Sequence, residues 1–482
     1  MGTSQSKDVT PKSISRTSSG TNIQDKSQFI YIEKLAKFLG QKSAEETCNG
    51  RSISKEVFTK YLFSSYPDLS EHLYKYFISE ESHKHGVSTV SSKQDSLPLS
   101  VFKQQCEKLM TVINDAEITD IYIKVYSSND ELTHDQFKSL LQQVYRLSMD
   151  FYPDGPTRTC VHLLKILKAV VDSAFHRKET VSVSFLAHWV QANCSRLLLG
   201  LHRYVVHTLT TAYHLIGKAE QENSSSGLEL TTPVLDRELK FEHDENVMLP
   251  LSEVWLLSTS LPEVFTRPSE HHTPTTSAIS MSASYFISKL IGSVCPSHWT
   301  MLYNSNDQGL AANRFLFHVL SYRGPTLTLI RGQDGVQFCI GSATEWRESH
   351  LYWGDENCII IQILPLYHII DRGPKLLYFN SSIRGYPKGI HAGSDKKAPC
   401  LQVDEGFSRL TFCGIPYIVG SIEVWGCGSV KDRNNQHDVK KWQVEQAEQA
   451  RQVKLNPRDW VNNPDRYLLE LAGRQSYATT ST

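Results

Sequence analysis

The first residues of the chain, MGTSQSKD, carry a pattern for attaching a fatty acid. Removal of Met1 leaves Gly2 at the N-terminus, and Ser6 completes the Met-Gly-x-x-x-Ser/Thr pattern of N-myristoylation. The residues that follow are rich in Ser and Thr, which predicts a disordered tail, residues 1–27, that keeps Gly2 accessible. Because one acyl chain holds a protein only marginally on a bilayer, we expect myristate to act together with a second contact.

Ten cysteines are the next residues with reactive side chains, and no two of them are spaced as C-x-x-C. This pattern favours buried thiols in a reducing compartment over a disulfide framework or a zinc site. Cys339 and Cys358 lie in apolar runs, where burial raises the thiol pKa, whereas Cys427 between two glycines is expected to be exposed. A thiol-based or peroxide-removing antioxidant activity therefore stays open as an alternative function.

The chain shows no constellation of catalytic residues. It contains no Gly-x-Ser-x-Gly elbow, no Gly-rich phosphate loop ending in Lys-Ser/Thr and no His-Glu-x-x-His. With 50 Lys and Arg against 51 Asp and Glu in 482 residues, no basic footprint indicates a nucleic-acid partner. We predict a protein that is not an enzyme, has no catalytic residues and needs no cofactor.

A weak repeat organises the residues after the tail. The segments ISKEVF, LPLSVF and LTHDQF each place a Phe five positions after an aliphatic residue, and an apolar-periodic helix follows each one. The spacing resembles EF-hand loops, but Val125 and Gln136 would occupy ligand positions 1 and 12 of the third loop, where calcium needs oxygen ligands and a Glu. We predict a helical, degenerate EF-hand-like domain, residues 28–217, without metal. A calcium-responsive sensor is the second alternative function.

The composition changes twice after this region. Residues 218–278 are mostly polar and are predicted to form a linker with one short helix, from LSEVWLLSTSL. Residues 279–428 then show short strand-like runs separated by turn residues, such as the two runs around GQDG, which predict an antiparallel β-sandwich with flanking helices. The fold class is therefore α+β, with a C-terminal helical tail at residues 429–482.

The strand-rich block resembles the TLDc domains, the modules of the oxidation-resistance proteins and their relatives. HWTMLYNSNDQG, GPTLTLIRGQDGVQF, LYWGDENCIIIQILP and IVGSIEVWGCG follow one another in the order found in that family. The family positions that match, all of them expected to be structural, include Trp299, Gly335, Phe338, Gly354, Asp355, Glu423 and Trp425. Two departures stand out: the Phe-Gly-Gly of the family is FCIG here, and its Gly-rich segment is reduced to GIHAGSD.

Together with the Gly2 signal and the helical half, the block is similar to TLDc proteins of the lysosomal, mTOR-associated type. This resemblance implies two partners, the mTOR kinase or its complex and the vacuolar proton pump (V-ATPase). It implies a cytoplasmic, peripheral location on the lysosomal membrane and a role as a non-enzymatic adaptor in growth signalling. Composition and spacing alone indicate neither partner.

The C-terminal tail is predicted to be the element that contacts a partner. DVKKWQVEQAEQARQVKL reads as a polar helix with few apolar anchors, and Asn463, Pro464 and Gly473 punctuate a second helix. A helix this polar has little reason to fold against its own domain. The residues predicted to bind a partner are Trp442, Trp460, Leu468, Leu469 and Leu471.

Overall fold

The computed structural model describes most of the chain: residues 21–47, 52–85, 96–152, 160–219, 248–267, 295–296, 298–451, 468 and 471–472. Gly2 and the first twenty residues lie outside the described ranges. The first helix begins at Thr21, ahead of the boundary expected at residue 28. The protein is α+β, with a helical N-terminal half, an antiparallel sheet in the C-terminal half and a final helix.

The helical half is assembled from helix–strand–helix units. Its elements are α1 (Thr21–Thr47), β1 (Ser52–Ile53), α2 (Lys55–Leu62), α3 (Pro67–His85), β2 (Leu97–Pro98), α4 (Leu99–Thr111), α5 (Asp115–Tyr126), β3 (Glu131–Thr133), α6 (His134–Asp150), α7 (Leu163–Phe175), β4 (Thr180–Ser182), α8 (Val183–Asn193) and α9 (Leu199–Ala219). Strand β1 pairs antiparallel with β2, and β3 pairs antiparallel with β4. Two short antiparallel ribbons, β1–β2 and β3–β4, therefore join the units in pairs.

The repeat in the sequence corresponds to these ribbons. Ile53 pairs with Leu97, and Leu132 pairs with Val181, so the aliphatic residue of each unit faces that of its partner. The Phe five residues later is fully buried in each of the three predicted repeats: Phe58, Phe102 and Phe137. The fourth unit was not predicted, because it carries Leu186 where the others carry Phe.

In the third loop, Gln136 stands where a calcium loop would carry its Glu ligand, and its side chain is hydrogen-bonded to other residues of the loop. Thr133 and Gln136 form a capping box at the start of α6, with the Gln136 side chain accepting a hydrogen bond from the Thr133 N–H at 2.9 Å. Gln136 Nε2 also donates to Ser128 Oγ at 2.7 Å. Within the described ranges no cluster of three His, Cys, Asp or Glu side chains could hold a metal ion. The EF-hand origin of these units stays a prediction.

The segment predicted to be a linker is part of the core in the portion that the structure describes. Helices α10 (Leu251–Ser260) and α11 (Glu263–Thr266) replace the single short helix that was predicted. Trp255 packs at a right angle on Tyr145 of α6, with ring centroids 5.2 Å apart. Because nearly every side chain of α10 is buried, this helix is sandwiched between the helical half and the sheet.

In the part of the C-terminal half that the structure describes, ten antiparallel strands form one hydrogen-bonded sheet. Its elements are β5 (Thr300–Asn304), α12 (Ser305–Gln308), α13 (Ala312–Val319), β6 (Thr326–Gly332), β7 (Gln337–Ser342), β8 (Ile359–Leu364), β9 (His368–Arg372), β10 (Leu377–Asn380), β11 (Gly389–Ala392), β12 (Leu401–Val403), β13 (Arg409–Phe412), β14 (Ile415–Gly426) and α14 (Val430–Arg451). The strand order is β10-β11-β12-β13-β14-β6-β7-β8-β9, and β5 also pairs with β14. The antiparallel arrangement predicted from the sequence is confirmed.

Strand β14 joins two layers of this sheet. Its first residues pair with β13, whereas Val419 to Gly426 pair with β6. The register shifts between Val419 and Ser421, so a bulge at Gly420 lets the strand bend from one layer into the other. Phe338 of β7 contacts Phe412 of β13 across the layers, with ring centroids 4.8 Å apart.

The two faces of strands β6 to β8 belong to different apolar cores. One face contributes Leu327, Leu329, Cys339 and Ile361 to the core that contains the helices of the N-terminal half. The other face packs on strands β10 to β13. Because side chains alternate across a strand, a run buried on both faces is apolar throughout, as β8 is. The helical half and the sheet therefore share a core.

Candidate functional site

The predicted signature residues lie at different places in the C-terminal half and do not form one site. Gly335 has a φ of +75° in the turn between β6 and β7, a conformation that favours glycine. Gly354 has a φ of +120°, and a Cβ there would lie 2.6 Å from Cys358 Sγ. Asp355 Oδ1 accepts a hydrogen bond from the Asn357 N–H at 3.2 Å, as expected for a carboxylate in a turn. These residues shape loops.

The aromatic signature residues and Glu423 pack within the sheet or against the helices. Trp299 Nε1 donates to the Phe265 carbonyl of α11 at 2.7 Å, which fastens the segment before β5 to the buried helices. Glu423 is buried, and Trp425 Nε1 donates to its Oε2 at 3.0 Å. Burial raises the pKa of Glu423. Phe338 faces the opposite core. Glu423 and Trp425 therefore contact each other, whereas Phe338 belongs to the apolar core on the other face of the sheet.

A polar cavity of about 110 Å³ lies where the helical half meets the sheet. We call it the junction cavity; it is lined by His162, Lys165, Ile166, Glu253, Arg331, Gly335, Gln337 and Leu364. Arg331 and Gln337 are cross-strand partners on β6 and β7, joined by the turn that contains Gly335. The β-hairpin therefore presents two polar side chains to α7 and α10.

The buried side of the junction cavity is a hydrogen-bonded acid–amide pair. Gln337 Nε2 donates to Glu253 Oε2 at 2.6 Å and to the Met248 carbonyl at 2.9 Å. Burial raises the pKa of Glu253 to about 8, although Arg331 and Lys165 oppose the shift. Glu253 is therefore mostly protonated at neutral pH, and the junction cavity presents a neutral acid beside two cations.

The tail helix, α14, is docked on the sheet domain only at its base. Gln436 is fully buried, and its Nε2 donates to the carbonyls of His318 and Leu320 at 2.9 and 3.2 Å. Lys440 Nζ donates to the His318 carbonyl at 3.2 Å and lies 5.4 Å from the centre of the Phe317 ring. Burial lowers the pKa of Lys440 to about 8. These contacts hold the first two to three turns of the helix.

The tail helix is exposed beyond Lys440. Trp442 is 59% exposed and Val444 is 50% exposed, although both are large apolar side chains. We call Trp442, with the half-exposed Val439 one turn earlier on the same side of the helix, the exposed tail face; Val444, two residues after Trp442, lies on another side of the helix. Leu468 and Leu471 are also exposed, whereas Trp460 and Leu469 lie outside the described residues. The polar tail helix was correctly anticipated, but its base packs on its own domain.

The prediction that Cys427 is exposed was wrong. Its side chain is fully buried in the core shared with the helices, and burial raises its pKa well above the usual value. The flanking Gly426 and Gly428 stand where β14 gives way to the short connection to α14, and they make room for the Tyr322 side chain, whose hydroxyl accepts a hydrogen bond from the Gly428 N–H. Among the cysteines that the structure describes, the exposed one is Cys413, at the turn between β13 and β14.

Comparison with known proteins assigns the C-terminal half to a family. Residues 279–420 match the model of the TLDc domain. The chain is a TLDc-domain protein. The match covers the ten-stranded sheet up to the bulge in β14, so the signature residues Trp299, Gly335 and Gly354 all lie inside it, and the tail helix lies after it.

Curated relatives of this TLDc-domain protein are distant. The chain is 24% identical to the MTOR-associated protein MEAK7 of Danio rerio over 181 residues, which are 34% of this chain and 40% of the relative. It is 29% identical to Restriction of telomere capping protein 5 of Kluyveromyces lactis over 183 residues, 30% of this chain and 31% of the relative. It is 44% identical to the protein of that name in Colletotrichum graminicola over 243 residues, 36% of this chain and 39% of the relative. The chain therefore aligns with less than half the length of each.

Sequence reasoning missed the junction cavity. Its residues come from α7, α10 and the β6–β7 hairpin, which are far apart in the chain. Two local signals were present: Glu253 interrupts the apolar run of α10, and Arg331 and Gln337 flank the Asp-Gly turn at positions that must face each other in a hairpin. None of the helices in the described ranges combines the length and apolarity needed to cross a membrane.

Proposed function

We propose that this TLDc-domain protein is a non-enzymatic adaptor that docks to a larger assembly through its tail helix. The observation that carries the proposal is the exposed tail face: Trp442 is presented beyond a helix base that Gln436 and Lys440 hold in place. An amphipathic or aromatic helix face in a partner's groove is a recurrent mode of recognition. A helix already anchored at its base loses less conformational freedom on binding than a disordered tail does.

The proposed partners are the mTOR kinase or its complex and the vacuolar proton pump. The name of the MEAK7 relative supports the first, and the resemblance to lysosomal TLDc proteins supports the second. We further propose that myristate on Gly2 gives the chain weak, peripheral affinity for the cytoplasmic face of the lysosomal membrane. Lipid and helix then act together, because a second weak contact made on the same surface raises the overall affinity strongly.

Truncation tests the docking element. A chain ending at Lys440 keeps the buried Gln436 and Lys440 contacts but loses Trp442 and the rest of the tail. We expect this chain to unfold like the full-length protein and to co-purify with the kinase or the pump at a much lower level. Equal recovery of both partners with the truncated and full-length chains would exclude the tail helix as the docking element.

Substitution of the acceptor glycine tests the anchor independently. Gly2→Ala prevents N-myristoylation and changes no residue in the described ranges. We expect a larger cytosolic fraction after cell fractionation and an unchanged unfolding temperature. A Ser13→Ala chain, which keeps both Gly2 and Ser6 of the acylation pattern, is the matched control for the tail sequence. An unaltered membrane fraction for Gly2→Ala would remove the lipid from the proposal and leave the tail helix untouched.

One observation favours a second candidate function, thiol-based antioxidant activity. Cys413 is exposed, and its N–H donates to the Cys400 carbonyl at 2.9 Å, so the two cysteines are neighbours across β12 and β13. Burial raises the pKa of Cys400 to about 11, which weakens it as a nucleophile at neutral pH. Peroxide consumption by the purified protein, lost in Cys413→Ser and retained in Cys427→Ser, would favour this function over the adaptor.

A further inference from the structure

Two cysteines stand opposite each other at one end of β12 and β13. Leu401 pairs with Phe412 across these antiparallel strands, so the pair just beyond the strand ends is Cys400 and Cys413. The Cys413 N–H donates to the Cys400 carbonyl at 2.9 Å, which makes the two residues a hydrogen-bonded pair. The Cα atoms of such a pair are about 5.5 Å apart. That distance lies within the range of roughly 4.4–6.8 Å that a disulfide bridges.

The two side chains lie on the same face of the sheet. Leu401 and Phe412 pack in the apolar core of the sheet, and successive side chains of a strand point to opposite faces. Cys400 and Cys413 therefore both lie on the outer face, where Cys413 is exposed and Cys400 is half-buried. Burial is the main cause that raises the pKa of Cys400 to about 11, and the nearby Asp371 and Cys413 add to it. The two thiols are therefore close enough to interact.

Neither packing nor turn geometry accounts for a cysteine at position 413. Cys413 and Gly414 form the two-residue turn between Phe412 and Ile415, with φ of +48° and +85°. A turn with two positive φ angles favours Asn, Asp or Gly at its first position, and other residues are strained there. The side chain of Cys413 is exposed and covers no core. Its thiol is therefore the property that distinguishes it at this position.

The half-buried sulfur has room to move toward Cys413. Cys400 Sγ donates only a weak thiol hydrogen bond, to the Ala392 carbonyl at 3.1 Å. Gly393 lies beside it with a φ of +143°, and a Cβ at Gly393 would stand 3.1 Å from Cys400 Sγ. Because this neighbour has no side chain, the Cys400 side chain can rotate without displacing another group.

We propose that peroxide oxidises Cys400 and Cys413 to an intrachain disulfide. The thiolate of Cys413, formed by loss of its proton to water, attacks one oxygen of hydrogen peroxide; the O–O bond breaks, hydroxide leaves and Cys413 becomes a sulfenic acid. The thiolate of Cys400, whose proton is also lost to water, then attacks the Cys413 sulfur; the S–S bond forms, the S–O bond breaks and a second hydroxide leaves. The two hydroxides take up the two protons, so two thiols and one peroxide give one disulfide and two waters.

The neighbouring thiol keeps the oxidation of Cys413 reversible. An exposed sulfenic acid without a thiol partner is oxidised further to sulfinic acid, which small thiols do not reduce. Cys400 is held opposite Cys413 by the sheet, so ring closure is intramolecular and precedes a second encounter with peroxide. The pair therefore stops at the disulfide.

The disulfide is also expected to be readily reduced. Opposite Cβ atoms of a hydrogen-bonded pair are about 5.5 Å apart, whereas a disulfide needs them at about 3.5–4.5 Å. The bridge is therefore strained, and glutathione reopens it by thiol–disulfide exchange while two glutathiones are oxidised to one glutathione disulfide. This oxidant-responsive pair is independent of the docking function of the tail helix. Unlike an antioxidant activity, it requires only one oxidation per chain.

Peptide mapping of the full chain after treatment with hydrogen peroxide tests the proposal. Trypsin cleaves after Lys397, Arg409 and Lys431, so the two cysteines fall in separate peptides, 398–409 and 410–431. After the remaining thiols are alkylated, we expect the two peptides to be recovered joined and lighter than their sum by two hydrogen atoms. Fragmentation spectra distinguish Cys413 from Cys427, the other cysteine of the second peptide. Treatment with reduced glutathione should separate the peptides again.

Two variants separate this disulfide from simple oxidation of an exposed thiol. Cys400→Ser should accumulate Cys413 sulfinic acid at a level several-fold above that of the wild-type chain. Cys160→Ser, at a half-buried cysteine in the helical half, is the matched control and should form the bridge normally. The proposal is overturned if the joined peptides do not form, if the bridge links two chains instead of one, if glutathione leaves it intact, or if both variants accumulate equal sulfinic acid.

Discussion

The junction between the helical half and the sheet differs from the tail helix in what its polar side chains do. At the junction they join elements: Asn193 Oδ1 accepts from the Ile369 N–H at 2.9 Å, and the Tyr367 and Ser260 hydroxyls are 2.6 Å apart. In the tail helix, Gln436 and Lys440 fasten the base, and past them the chain is exposed. Buried polar contacts therefore hold the elements of the junction together, whereas in the tail helix they hold only its base.

The difference separates residues that hold the fold from residues that are available to a partner. Asn193, Tyr367 and Ser260 each form a hydrogen bond across the junction, so the loss of any of them costs stability. Trp442 covers no core and satisfies no buried group, so its loss should cost almost none. A large effect on association with a negligible effect on stability is therefore expected only for the tail helix.

The largest effect is expected for Arg196→Ala at the junction. The guanidinium of Arg196 donates to the carbonyls of Ser258 at 2.7 Å and of Leu261, and to Thr266 Oγ1 at 3.3 Å. Removing it leaves carbonyls at the end of α10 unpaired, and we expect a loss of about 3–5 kcal/mol in the free energy of unfolding. Urea denaturation measures it, with the exposed Lys124→Ala as control. A loss below about 1 kcal/mol would contradict this view of the junction.

A smaller effect, of opposite sign, is expected for Glu253→Gln. The pKa of Glu253 is raised by burial to about 8 in the folded protein, above the ordinary value of 4.5 for a glutamate. The raised pKa therefore costs the folded state no stability at pH 4. The cost grows as the pH rises from 4.5 to 8 and stays constant above pH 8. The amide keeps an oxygen for Gln337 Nε2 but cannot ionise. We expect the variant to be more stable than wild type at pH 7, on the order of 3 kcal/mol, and equal to it near pH 4.

Unfolding temperatures measured across this pH range test the prediction for Glu253. Glu263→Gln is the matched control, because Glu263 is an exposed acid on the neighbouring helix α11. A stability difference between wild type and Glu253→Gln that does not change with pH would show that Glu253 titrates normally in the folded protein.

Gln436→Ala should have a modest effect that is confined to the tail helix. Its amide is the buried group that ties α14 to the carbonyls of His318 and Leu320. We expect faster hydrogen exchange along α14 and a loss of about 1–2 kcal/mol, with unchanged exchange in strands β6 to β8. Gln446→Ala, at an exposed position of the same helix, is the control. Exchange in α14 that is equally slow in both variants would mean that other contacts dock the helix.

The parts of the fold that depend on neighbours in sequence could be predicted. The repeats were recognised because the ribbon residue and the buried Phe stand five positions apart, and the fourth unit was missed because Leu186 replaces that Phe. The β6–β7 hairpin was predicted from its Asp-Gly turn. Local pattern was sufficient for these elements because their own residues determine which faces are buried.

The parts that depend on distant elements could not be predicted. Cys427 was expected at the surface because glycines flank it, but those glycines are needed for the approach of Tyr322 from another segment. The junction cavity forms where α7, α10 and the β6–β7 hairpin come together, and no local sequence pattern indicates that these distant segments are in contact. The polar character of the tail helix, in contrast, could be read from its own residues; that Trp442, Leu468 and Leu471 bind a partner stays a prediction.

The most direct test of the docking function is the association of Trp442→Ala compared with Gln443→Ala. Both residues are exposed on α14 past its anchored base, so both variants should unfold at the same temperature as the wild-type chain. The account predicts that Gln443→Ala co-purifies normally with the kinase or the pump and that Trp442→Ala loses most of that association. Undiminished co-purification of Trp442→Ala would contradict it.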